Sequence, residues 1–116
     1  MQKQAIVLQN DTSSFKIHAN LDSENSVYIS KLLFEYVEQG KIDFELKSKN
    51  GSIISEILVN VAGGLFSAVL YDLIKKIYNR LKEERKKGKE IKPVEIFTES
   101  KHYVITGDES DILPEK

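Results

Sequence analysis

Chemistry near neutral pH would fall first to His18 and His102, the chain's 2 imidazoles, because histidine is the side chain whose ordinary pKa lies in that range. Both sit in stretches that read as strands. Glu99 precedes His102 by three residues, and the strand–turn–strand path expected there keeps the two off a common metal. Asp43 and Glu45 share one face of a strand, its solvated side, which is not the apposition that acid–base carboxylates need. No GxSxG context supports a nucleophilic serine, and no GxGxxG follows a strand. The chain has no cysteine, which removes disulfides, iron–sulfur clusters and thiolate zinc sites. No catalytic residue, metal or cofactor is therefore expected.

The strongest polar feature is a cationic run, "KKIYNRLKEERKKGKEIK", over 75–92. It holds 9 basic and 3 acidic side chains, whereas 93–116 holds 2 basic and 6 acidic. A contact with an anionic partner would use Lys75, Lys76, Arg80, Arg85, Lys86, Lys87 and Lys89, which could follow a phosphate backbone. The plainer reading is a solvated helix end, whose cations complement the helix dipole and form i,i+4 pairs such as Glu83–Lys87. Summed over the chain, 17 Lys+Arg against 18 Asp+Glu create no field that argues for nucleic acid or membrane.

Periodicity sets the elements that position these residues. "QAIVLQ" (4–9) and "FKIHANL" (15–21) read as a hairpin, with Phe15, Ile17 and Ala19 on one face. Asp22 or Ser23 would cap a helix whose apolar stripe is Ile29, Leu32, Leu33, Tyr36 and Val37, closed by Gly40. "KIDFELKS" alternates Ile42, Phe44 and Leu46 against Asp43, Glu45 and Lys47, a half-buried strand. A second helix is expected from a cap at Ser52 to about Lys87, running through Gly63-Gly64 and stopped by Gly88. "VEIFTE" and "HYVITG" form a closing hairpin after Pro93. The order is ββαβαββ: an α+β fold, a mostly antiparallel sheet covered on one face by two helices, the second long and Gly-containing. The chain's 116 residues give one domain, 1–107, with an acidic mobile tail at 108–116.

Within the long helix, Ser52, Glu56, Asn60, Gly63 or Gly64, and Ser67 would share one face. Gly63/Ser67 and Gly64/Ala68 make small-xxx-small pairs that admit a close backbone. Asn60, Gly63, Gly64, Ser67 and Ala68 thus mark a packing face, either against the protein's own elements or in a seam with a partner or second copy. A membrane span over 53–74 has the length, but Glu56, Asn60 and Asp72 oppose it.

Three stretches, "LLFEYVEQGKIDFEL", "NVAGGLFSAVLYDLIKKIYNRLKE" and "KPVEIFTESKHYVITG", give the chain a layout that resembles the effector-associated constant components of bacterial and archaeal conflict systems. The resemblance implies a small α+β module that acts as a non-enzymatic adaptor. The function expected is accordingly protein–protein contact without enzymatic activity, in the cytoplasm, with a protein partner or a homodimer. The alternatives are nucleic-acid binding through 75–92, a small viral inhibitor of a host machine, and a membrane-embedded protein.

Overall fold

The computed structural model describes residues 13–20, 24–48 and 54–114. Its elements in chain order are β1 (Ser13–Asn20), α1 (Glu24–Glu38), β2 (Ile42–Ser48), β3 (Ile54–Val61), α2 (Phe66–Lys86), β4 (Val94–Phe97) and β5 (His102–Ile105). The expected strand at 4–9 and the caps at Asp22, Ser23 and Ser52 lie outside the described residues.

The fold is α+β as expected, with five antiparallel strands and two helices, but one long element differs. Residues 54–61, expected as the first part of a long helix, form the strand β3. "ISEILVNV" alternates as well as it spirals: Ile57, Val59 and Val61 are buried, while Glu56, Leu58 and Asn60 face the other way. β-Branched residues at these three inward sites suit a pleated, half-buried surface. Gly63 and Gly64 therefore lie in a turn, closed by Leu65 N–H to the Ala62 carbonyl at 3.1 Å, and not in a helix. Gly64 sits at φ +78°, a left-handed conformation that glycine adopts without strain.

The sheet order is β2-β3-β1-β4-β5, with every pairing antiparallel. β1 and β2 thus run parallel with β3 inserted between them, and β3 and β4 run parallel with β1 between them. Two βαβ units interleave in the split arrangement, β-α-β-β-α-β, and β5 adds by a hairpin. Register explains the core: Ile17 lies opposite both Ile57 and Ile96, Phe15 opposite Val59, and Ile96 opposite Tyr103. All are buried on the face the helices cover. α1 contributes Ile29, Leu32, Leu33 and Tyr36 to that core, and α2 contributes Val69, Leu70, Leu73, Ile74, Ile77 and Leu81. Each such side chain is worth about 1.5–3 kcal/mol of burial. Val37 and Leu46, expected inside, are 36% and 57% exposed. Leu46 lies on an edge strand, where α1 no longer covers the sheet. No described helix is long and apolar enough to cross a membrane.

The helices are antiparallel, tied at both ends by polar groups. Near one end the buried Asn25 accepts from Arg80 Nε at 2.7 Å and donates to Glu84 at 3.1 Å, while the Arg80 guanidinium lies 4.5 Å from the Tyr28 ring. Near the other, the Tyr36 hydroxyl donates to Asp72, which also pairs with Lys76 at 3.0 Å. Burial acts against the Asp72 charge, but the hydrogen bonds from Tyr36 and Lys76 and the charges of Lys76 and Lys41 outweigh it and hold the carboxyl below its ordinary 3.8. Burial, then the bond to Asp72, push the Tyr36 hydroxyl far above its ordinary 10.0, so it stays a donor. A depressed carboxyl contributes stability that is present above its unfolded pKa and lost as pH falls through the folded one. Tyr36→Phe is expected to cost about 1 kcal/mol at neutral pH. Urea unfolding should show that gap narrowing as pH falls below the ordinary carboxyl value of 3.8; a gap independent of pH would contradict the assignment.

Candidate ligand groove at the head of the second helix

The face of the sheet opposite the helices carries the two histidines. His18 on β1 pairs with Glu56 on β3 at 3.0 Å, and His102 on β5 pairs with Glu95 on β4 at 2.8 Å. Phe97 stands between them, its ring centroid 4.7 Å from His18 and 4.1 Å from His102, stacked on the latter. Each imidazole thus has a carboxylate partner, and no group of three or more described His, Asp or Glu residues is placed to hold a metal. Sequence reasoning put both histidines on strands but missed both partners. Glu56 was assigned to a helix. The Glu95–His102 approach follows only once the hairpin register places Phe97 opposite His102.

Concave space lies instead around the first turn of α2. A groove of about 1110 Å³ runs beside β5, between Phe66, Ser67 and Leu70 of α2 and the segment 110–114. The β4–β5 turn forms its end. There Thr98 N–H donates to the Lys101 carbonyl at 2.8 Å, and Thr98 Oγ1 accepts from Lys101 N–H at 2.9 Å. A second recess, bordered by Ser13, Ser14, Lys16 and Phe97, shares Phe66, Thr98 and Ser100 with the first. Phe66 packs edge-on against Phe15 at 6.0 Å, which anchors the head of the helix over the sheet.

The far wall is held by one carboxylate. Asp111 accepts from Thr106 N–H and Gly107 N–H, each at 2.8 Å, and from the Thr106 hydroxyl at 2.7 Å. Arg85 of α2 donates from Nε to the Thr106 carbonyl at 2.8 Å, and Leu113 packs on the core. Over 108–114 the segment expected as a tail is therefore hydrogen-bonded to the body it follows. Gly107 is buried at φ +82°, and a Cβ there would come within 2.5 Å of the α2 backbone at Leu81 and Lys82. Sequence reasoning missed Asp111, Thr106 and Gly107. An acidic residue after a glycine beyond a strand was the available signal.

The residues expected to form one small-residue stripe are dispersed. Asn60 is an exposed residue of β3, Gly63 and Gly64 occupy the turn, and only Ser67 and Ala68 belong to α2, both exposed. A Cβ at Gly64 would meet nothing within 4 Å, so this glycine serves conformation and not close approach. Ser67 alone of the five lines the larger groove. The cations expected to meet an anionic partner are largely engaged within the chain. Lys76 pairs with Asp72, Arg80 with Asn25 and Glu84, Arg85 with Thr106, Lys86 with Glu83 and Lys89 with Glu24. Lys75 and Lys87 make no ion pair with a described residue.

The head of α2 is electrostatically open. The helix begins after Leu65 with no side-chain cap and no acidic residue in its first turn, so among the described residues no carboxylate of that turn answers its dipole and first N–H groups. Lys101 and His102 stand at the same groove.

Fold and site together define an α+β domain of two interleaved βαβ units with a groove at one helix head. No family model matches the chain and no curated protein matches it. Among solved structures, it is similar to a phage SAM lyase determined in complex with S-methyl-5'-thioadenosine. The two share 15% identity at a TM-score of 0.39, over 83% of this chain and 90% of that one. The similar chain is an enzyme, at variance with the expectation of a non-enzymatic adaptor, which is not maintained. At that TM-score the likeness gives this chain neither a substrate nor a reaction.

Proposed function

We propose that this chain binds a small organic anion in the groove beside β5, with the anionic group at the head of α2 and the apolar part along the groove wall. The observation that carries the reading is the composition of that groove. An uncapped helix start, Lys101 and the hydroxyls of Ser67, Thr98 and Ser100 stand beside Phe66, Leu70, Tyr103 and Leu113. Ligand sites combine an apolar lining with a few placed polar groups, and a helix N-terminus favours negative charge. Kinship with the effector-associated constant components is likewise proposed, on the three stretches quoted above.

Phenyl phosphate is a suitable probe, with inorganic phosphate and phenol as controls. In an amide-detected NMR titration, its signals of binding should fall on Phe66, Ser67, Ala68, Lys101 and His102, with phenol and phosphate each weaker. Ser67→Asp places a carboxylate in the first turn of α2 and should weaken phenyl phosphate by about tenfold. Absence of any amide shift up to about 5 mM probe, or unchanged affinity in Ser67→Asp, would refute the proposal.

A further inference from the structure

At the opposite side of the molecule from β5, the sheet ends in β2, seven residues long and paired only to β3 among the described residues. Phe44 N–H is taken by its own neighbour, Asp43 Oδ1, at 3.1 Å. Its donor thus faces away from β3, and by alternation the free edge carries the N–H and C=O groups of Phe44 and Leu46. Large apolar side chains crowd along this edge. Leu46 is 57% exposed, and Phe34 of α1 is 60% exposed while its ring meets Phe44 at 5.3 Å. Val37, one turn beyond Phe34 on α1, is 36% exposed. An unpaired strand edge beside exposed apolar residues is a template for another strand.

We propose that this edge pairs with β2 of a second copy of the chain. The pairing is antiparallel about a two-fold axis at Leu46, and makes one continuous ten-stranded sheet. The charge pattern of the strand selects this occupant and this register. Any register that keeps both apolar faces on the helix side must place residues of like parity opposite each other. Centred on Leu46, the two leucines meet and Glu45 of each copy lies opposite Lys47 of the other, twice. Centred on Glu45, Asp43 would meet Lys47 but the two glutamates would face each other, and centred on Phe44 Asp43 would face Glu45 twice; like charges directly opposite destabilise a sheet. Within one copy Lys47 and Glu45 stand 3.8 Å apart and more than half exposed, available to exchange partners across the axis. Phe34 and Val37 then pack on their counterparts above the joined sheet. A C2 contact of this kind closes on itself and leaves no further β2 edge. The groove beside β5 is remote from it, so this inference does not depend on the ligand reading.

Light scattering behind size exclusion tests it. Wild type should run at twice the 13.2 kDa chain mass. Leu46→Lys, at an exposed position, should run as a folded monomer by circular dichroism. Lys47→Glu sets Glu45 against a glutamate and should weaken the dimer at least tenfold, while the swap E45K/K47E should restore it. The swap arm stands even if Leu46→Lys does not fold. A monomeric wild type up to about 100 µM, a dimer that persists in Leu46→Lys, or a dimer indifferent to Lys47→Glu would overturn the proposal.

Discussion

Gly107→Ala is expected to lose about 2–5 kcal/mol of stability, more than alanine at Gly40, Gly64 or Gly88, where the space is open. Two costs combine. Alanine at φ +82° is strained by about 1–2 kcal/mol, and its Cβ would lie 2.5 Å from the backbone of α2 at Leu81 and Lys82, too close for any rotamer to relieve. Only a shift of the strand end away from the helix makes room, and that shift pulls Ile105, fully buried, out of the core. Against a total of about 5–15 kcal/mol for a domain, the loss approaches unfolding. Gly64→Ala is the control, since φ is +78° but the space is open; only the conformational strain remains, about 1–2 kcal/mol. Urea unfolding of the pair separates strain from close approach. Equal losses would show that close approach is not why residue 107 is glycine.

Asp111→Ala is expected to cost about 2–4 kcal/mol and to weaken phenyl phosphate binding together with stability. One carboxylate receives three short hydrogen bonds from Thr106 and Gly107. Alanine leaves two backbone N–H groups without an acceptor, and an unmet partly buried donor costs more than a formed bond returns. Asp111→Asn, which keeps one oxygen, should fall between. The loss of the wall formed by 110–114 separates this variant from Ser67→Asp, which should reduce binding while leaving the urea midpoint close to wild type. If Asp111→Ala unfolds at the wild-type midpoint, the carboxylate does not hold the segment to the body.

Much of the fold was legible in the pattern of side chains. The strand from Ile42, the buried helical stripe of Ile29, Leu32, Leu33 and Tyr36, and the closing hairpin all appear where periodicity put them, although Leu46 and Val37, expected inside, stand in solvent. The stretch 54–61 was not legible, because a short run of Ile, Leu and Val satisfies both a helix and a buried strand. What settles it is the need of β1 for a neighbour along its full length, met by partners that run from Asn20–Ile54 to Ser13–Val61 and so lie far apart in sequence. Once 54–61 is a strand, the two glycines become a turn, and the stripe built on them dissolves. The glycine that does permit close approach, Gly107, carries no local mark, since its neighbour is the backbone of α2 some twenty-five residues earlier. The cationic run was legible as charge but not as contact. Arg80 and Arg85 are committed to Asn25 and Thr106, partners that only the antiparallel docking of α1 on α2 and the hairpin beside it bring near, whereas the Lys76–Asp72 pair is a local i,i+4 contact on α2.

Local chemistry by itself determined the class of fold, the period of most elements, the absence of thiol chemistry and the place of the excess charge. These follow from side-chain spacing and composition, which act over a few residues. Tertiary structure alone decided which apolar run joined the sheet, where the groove opened, which carboxylates met His18 and His102, and which edge of the sheet was left with Leu46 and Phe34 in solvent. Those outcomes depend on register and docking between distant segments, whose energies come from burial shared across the whole core.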